Sequence, residues 1–537
     1  MKNSNSILKI ASYFGLFLFV LATVSCSKDD AAADEIVPPV VVPPVVTPTF
    51  AGPTYLDNYS SISSWSNNSQ WNLANVHDPT VEKCGDYYYM YQTDASYGNA
   101  HDGHGHFQYR RSKDLISWEY MGSSMTTAPA WVKDSLNNKR ARMVPALPAI
   151  ANPGYGYWAP CVRKVGSKYR MYYSIVVLEP IVGTDYNTSW SERAFIGLAE
   201  SDDLATNVWV DKGMVVCSEP DGVKSYIRNG GNDWEAYFKF NAIDPSVVVT
   251  KEGEQYLIYG SWHSGIAAVK LNSSTGKPDQ LKTLSDYGVK IASRGSGRWQ
   301  GSEGPEVIYN PDTDYYYLFM AYDGLDVPYN TRVARSRSIT GPYLGINGAN
   351  VTSGAECFPI VTHPYGFKNH TGWVGFSHCA IFQKSDTKQW FYASQARLPK
   401  DVPGINASNA LMMGHVREIQ WTPDGWPVVA PERYAGVPKT TITSASFVGS
   451  WENIAMKYQY ATIQTSTTVY FTADGKLSGG LTGTWSYDSG TAVLTINGAA
   501  CKVSDAWDWE ASTRKVTLSY SGYSTDGLTT YWGKKIN

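Results

Sequence analysis

Three acidic residues stand in closely similar surroundings: Asp78 in HDP, Asp244 in IDP and Glu303 in EGP. Each lies within two residues of a proline and just ahead of an apolar, strand-like run. Gathering acids is costly, because like charges raise one another's pKa and loss of water disfavours every ionised form. Hydrolysis of a glycosidic bond gives a reason to do it. One carboxyl must stay protonated as the acid and another ionised as the base, while a third can hold the acid's pKa up. Glu306, three residues beyond Glu303, competes for the acid role.

The placing of these acids follows from a phrase written five times. HDPTVEKCGDYYYMYQT starts at His77, YWAPCVRKVGSKYRMYYS at Tyr157, IDPSVVVTKEGEQYLIYGS at Ile243, SEGPEVIYNPDTDYYYLFMA at Ser302 and SHCAIFQKSDTKQWFYAS at Ser377. Each runs from a short polar group through apolar residues to a turn of Gly, Asp or Lys, then an aromatic strand. That is the pattern of a β-hairpin. Four of the five carry an early proline, whose missing N–H suits the start of a strand. All-β repeats at intervals of roughly 60–90 residues indicate propeller blades of four strands. AFIGLAESDDL and TRVARSRSITGPY supply further strands, and no convincing amphipathic helix interrupts them. A five-bladed β-propeller over residues 65–436 explains the recurrence, whereas a pair of β-sandwiches would not. Innermost strands line a propeller's axis, so Asp78, the neighbourhood of Trp158, Asp244, Glu303 and His378 should converge on one pocket.

Composition agrees. Of 537 residues, 38 are Tyr and 19 are Trp, an aromatic excess that suits β structure and stacking on sugar rings. A net charge of −3 argues against a nucleic-acid partner. Residues 1–25 read as an export signal, with Lys2 and Lys9 around the apolar SYFGLFLFVLATV, and Cys26 after it as the lipidated residue of a lipoprotein. An uncleaved membrane anchor is the alternative. Residues 26–64 form a Pro-rich tether. The six later cysteines are scattered without a CxxC, as buried free thiols would be, although an exported chain could pair them. Residues 437–537 alternate apolar and polar positions between turns, giving a small antiparallel β barrel or sandwich that could pack on the propeller or bind sugar.

The set HDP, WAP, NAIDP, EGP and GWV…SHC resembles glycoside hydrolase family 43, and within it the arabinan-degrading enzymes. The resemblance spans residues 70–436 and implies an inverting hydrolase with Asp78 as general base, Glu303 as general acid and Asp244 as pKa modulator. It implies endo action on α-1,5-linked arabinan. An exo-acting arabinofuranosidase or β-xylosidase of the same family stays open. It places His378 at a central calcium held mainly through water, with no organic cofactor. SKDD after Cys26 resembles the surface-export tag of Bacteroides-group lipoproteins, implying an outer-membrane protein anchored by lipid alone. A monomer is expected. Trp158 and Trp299 are candidate stacking platforms, and Asn241, Ser261 and His263 candidate polar contacts; the Trp residues could equally be core. HDGHGHF from His101 looks like a metal site, but solvated or substrate-facing loop residues are the plainer reading. Cys161 replaces an acid common after WAP, and YDGLDVPYNTR departs from the arabinanase pattern, both near the expected groove. Two other readings are a non-catalytic glycan-binding lipoprotein, which needs no axial acids, and a retaining fructan hydrolase. The second fits poorly, since the middle acid lies in IDPS and no hairpin follows AECF.

Overall fold

The computed structural model describes residues 50–179, 192–222, 238–294, 301–399 and 412–536. The signal, Cys26 and the tether up to residue 49 lie outside these.

Gly85-Asp86 and Gly166-Ser167 form two-residue turns, with Gly85 (φ 56°) and Gly166 (φ 61°) in the left-handed region that tight hairpins require. Such hairpins build five four-stranded antiparallel sheets, each using its strands in chain order. The first strands are Thr80–Cys84, Tyr155–Val165, Ser246–Val249, Ser302–Asn310 and Cys379–Gln383. Each packs against the next, and the fifth returns to the first, which closes the five-bladed ring. Ala74 bridges Met413, and Gly414 N donates to Leu73 O at 2.8 Å, tying the start of the propeller to its last blade. Buried tyrosines, including Tyr89, Tyr91, Tyr172, Tyr173, Tyr317 and Tyr392, fill the space between blades.

One element departs from expectation. A 12-residue α-helix, Ala130–Ala141, separates the first two blades. Its signal is a sparse one: Val132, Leu136 and Arg140 recur at four-residue intervals and are buried, while most of the other positions are polar and Trp131 is only partly buried.

The tail is a closed barrel of eight strands between Gly449–Met456 and Thr530–Lys535, which settles the barrel-or-sandwich alternative. Phe447, Trp451, Phe471, Trp485, Cys501 and Tyr520 fill its interior, so it is a packed core like that of other small barrels. It joins the propeller through a parallel pairing of Tyr365–Gly366 with Gln464–Thr465. Rings of Tyr365 and Phe376 also meet Trp532. The six described cysteines are unpaired and all but Cys84 are buried. No helix of the described residues is long and apolar enough to cross a membrane.

Candidate active site

The five innermost strands start from one shared backbone feature. Asp78 (φ 45°), Ala159 (φ 37°), Asp244 (φ 56°), Gly304 (φ 53°) and His378 (φ 50°) all adopt left-handed conformations at the hub. For the non-glycine members this is strained geometry of the kind found at functional sites. The series also corrects the register expected from the sequence. The counterpart of Asp78 and Asp244 in the fourth blade is Gly304, so Glu303 stands one residue ahead of the other two acids. A side chain at Gly304 could not be accommodated: an added Cβ would lie 2.9 Å from the His378 ring.

Bonds within and between blades assemble the site. His77 Nδ1 and His378 Nδ1 each lie 2.9 Å from an oxygen of Asp78, one on Oδ2 and one on Oδ1. Thr93 Oγ1 donates to Asp78 Oδ2 at 2.7 Å and accepts from Ala159 N at 2.6 Å. The Asp78 amide donates to Gln395 Oε1 from the fifth blade. Gly304 N donates to Asp244 Oδ2 at 3.0 Å. Glu303 is held on both oxygens: Tyr329 Oη donates to Oε1 at 2.7 Å and Trp262 Nε1 to Oε2 at 2.9 Å. Gly301 lets that indole lie close, since a Cβ there would meet the Trp262 ring at 2.3 Å.

These surroundings split the acids. Burial opposes ionisation of Asp78, but His378 and His77 beside it hold its carboxyl well below the usual range. Burial raises Asp244 to about 7; His378 pulls it down while Glu303 and Asp78 push it further up. Burial also raises Glu303, with Asp78 adding to the rise and the Tyr329 and Trp262 hydrogen bonds opposing it. Burial disfavours charge on His378, yet Asp78 and Asp244 raise it to about 9. The hub therefore keeps one carboxylate ionised and retains a proton on the Asp244–Glu303 pair near neutrality, the division that acid–base chemistry needs.

Glu306 is spoken for. It pairs with Arg163, accepts from Ser246 Oγ at 2.7 Å and from Ile381 N at 3.3 Å, and so stitches four blades together below the site. Trp158 is half-buried and helps line a cavity of about 360 Å³ with Asp94, Asn99, His101, His106 and Tyr157. Asn241 and Ser261 have no exposed surface, which makes them supports of the wall rather than sugar contacts. Trp299 and the His263 side chain lie outside the described residues. Cys161 is only 2% exposed within the second blade's core, so its departure from the family pattern does not touch the groove.

The histidine loop packs rather than gathers. His106 Nδ1 lies 2.5 Å from Asp94 Oδ2 and its ring stacks on Tyr157 at 3.4 Å, while His104 stacks on Trp65. Among the described residues no three His, Cys, Asp or Glu side chains could hold a metal ion together. Sequence reasoning missed Thr93, Trp262, Tyr329 and Gln395. Trp262 sits between two residues singled out in YGSWHSGI, but nothing in the spacing pointed its indole at Glu303.

A five-bladed propeller with three acids at its hub fits the class of glycoside hydrolases. The chain belongs to glycosyl hydrolases family 43, which it matches over residues 73–427, and residues 431–533 match that family's C-terminal lipocalin-like domain. It is 27% identical to an extracellular endo-α-(1→5)-L-arabinanase of Thermotoga petrophila over 86% of this chain and 94% of that protein. Identity to extracellular endo-α-(1→5)-L-arabinanase 2 of Bacillus subtilis is 26%, over 86% of this chain and 93% of that one. The crystal structure of the Thermotoga petrophila endo-1,5-α-L-arabinanase superposes with a TM-score of 0.66 at 25% identity, covering 87% of this chain and 99% of that one.

Proposed function

We propose that this protein cleaves α-1,5-L-arabinofuranosidic bonds within arabinan chains, with inversion at the anomeric carbon. The observation that carries this reading is the hub, where acids from the first, third and fourth blades converge, Asp78 held between two histidines and Glu303 held by Tyr329 and Trp262. The named activity of relatives that match across both domains supplies the substrate.

Glu303 gives its proton to the glycosidic oxygen as the bond to the anomeric carbon breaks. Asp78 takes a proton from a water that attacks the opposite face of the sugar. Inversion needs room for that water, so the two carboxyls should stand roughly 6.5–9.5 Å apart. His77, His378 and Thr93 fix the orientation of Asp78, and the two histidines keep it ionised, so that it is free to accept the proton of the attacking water. Asp244 repels negative charge on Glu303 and so favours its protonated form.

A central calcium would fit here only as an ion held mostly by water. Asp78 engages Nδ1 of His378, leaving Nε2 as the one ring nitrogen that could face an ion once it gives up its proton, and no cage of three ligating side chains surrounds it among the described residues. When bound, such an ion would supply positive charge at the hub. Export through residues 1–25, lipidation at Cys26 and an outer-membrane location complete the reading, and the extracellular naming of the relatives supports secretion.

The test is digestion of linear arabinan, branched arabinan and xylan by the purified protein, with early products resolved by size and the first anomer read by NMR. Mixed oligosaccharides of inverted configuration from linear arabinan are expected. Arabinose alone would indicate exo action, and a retained anomer would overturn the mechanism.

A further inference from the structure

The barrel reaches the propeller face that carries the acids. Glu303 pairs with Ala321 and Ser302 with Tyr322 across the first hairpin of the fourth blade, so Asp323 lies at the same end as the acid. Asp323 is 1% exposed; its amide donates to Gly301 O at 3.1 Å, and its carboxylate accepts from Arg294 Nη1 at 2.7 Å and Asn330 Nδ2 at 2.8 Å. A further donor to that carboxylate comes from the barrel. Tyr458 Oη lies 3.1 Å from Oδ1 and 3.0 Å from Oδ2.

The loop that carries Tyr458 is pinned at its base. Lys457 N donates to Gln464 Oε1 at 2.8 Å, Gln464 Nε2 lies 3.2 Å from His363 Nδ1, and Gln464 pairs with Tyr365. The Arg332 guanidinium sits 4.7 Å from the centre of the Tyr458 ring. Two residues on, Tyr460 is 51% exposed. It follows closely on Tyr458, whose bonds to Asp323 fix this part of the loop at the acid-bearing end of blade four. The loop thus holds an open aromatic ring two residues from its anchor on Asp323, at the acid-bearing end of blade four. An exposed aromatic ring face is what the C–H face of a neutral sugar recognises.

We infer that the barrel supplies one wall of the substrate groove: Tyr458 latches the loop to Asp323, and Tyr460 stacks on a pentose ring of the chain away from the cleaved bond. This deepens the arabinan reading and rests on it. Binding at a distance from the reacting bond should matter for a polymer and not for a short oligosaccharide.

The experiment compares the full chain with Tyr460→Ala, Tyr460→Trp and Tyr458→Phe on linear arabinan and on arabinotriose. Tyr460→Ala should raise KM for the polymer about 3- to 10-fold with kcat unchanged, as loss of one stacking contact implies. It should leave arabinotriose kinetics untouched, and Tyr460→Trp should restore polymer KM. Tyr458→Phe should shift polymer KM the same way by less. Retardation in native gels containing arabinan reads the same contact without turnover, and Tyr460→Ala should weaken it. Unchanged polymer KM and unchanged retardation in Tyr460→Ala, or an equal loss on arabinotriose, would overturn the inference while leaving the arabinan reading intact. An unaltered protein that neither cleaves arabinan nor is retarded by it would overturn both.

Discussion

The hub and the joint between propeller and barrel both bury several acids, and they treat them differently. At the joint, Lys534 Nζ lies 3.0 Å from Glu432 and 2.7 Å from Asp508, with side-chain exposures of 7% or less throughout. Glu510 accepts from Tyr365 at 2.6 Å and Trp373 at 3.0 Å. Burial raises Glu432 to about 7 there too, against the pull of Lys534 and with Glu510 and Asp508 adding to the rise. A raised carboxyl in a buried acid cluster is therefore not in itself a mark of catalysis. What separates the two regions is the company. The joint places a fixed ammonium among its acids, whereas the hub offers two histidines and neutral donors from the first, third and fourth blades. One design locks charge, and the other leaves protons free to move.

Breaking each region should show the contrast. Glu303→Gln keeps the shape of the hub but removes its proton donor, so kcat on arabinan should fall about 10²- to 10⁴-fold with the melting temperature little changed. A variant of normal turnover would remove Glu303 from the mechanism. Lys534→Met should do the reverse. Left with an unpaired buried charge, the joint should lose about 3–5 kcal/mol of stability in denaturant titration, while the folded fraction cleaves normally. Equal loss of turnover per folded molecule would show that the joint also serves the chemistry.

Finer changes concern pH. Glu303 acts while protonated, so activity should fall as pH rises through its elevated pKa. Asp244→Asn removes a neighbouring negative charge, and the alkaline limb of kcat/KM should move to lower pH. A limb that stays put would deny Asp244 its modulating part. Tyr329→Phe removes a hydrogen bond that favours ionised Glu303, so the same limb should move to higher pH, with the smallest loss of rate in the series.

Much of this was legible in the residues. Hairpins announced themselves through Gly85, Gly166 and the tyrosine-rich second strands, because turn and strand preferences are local. Asp78, Asp244 and His378 stand at the same place in a repeat and Glu303 one residue ahead of it, close enough for the repeat to point to all four. The helix Ala130–Ala141 was missed, since a polar helix with few apolar anchors carries a weak period. Asn241 and Ser261 looked like sugar contacts because proximity in sequence to Asp244 and His263 says nothing about which way a side chain faces. Tyr329 was overlooked inside YDGLDVPYNTR, a stretch notable in the sequence only for its departure from the family pattern.

The sequence alone determined the five blades, the rank of acids at their inner ends and the β character of the tail, because periodicity and turn chemistry act over a few residues. Tertiary structure decided the rest: that Gly304, not Glu303, fills the equivalent position in the fourth blade, that Glu306 is a strut, and that Asp78 is ionised while Asp244 and Glu303 resist losing a proton. These outcomes depend on burial and on charges a few ångströms apart, brought together from blades up to 300 residues distant in the chain, and Coulomb interactions in a buried site follow distance in space alone.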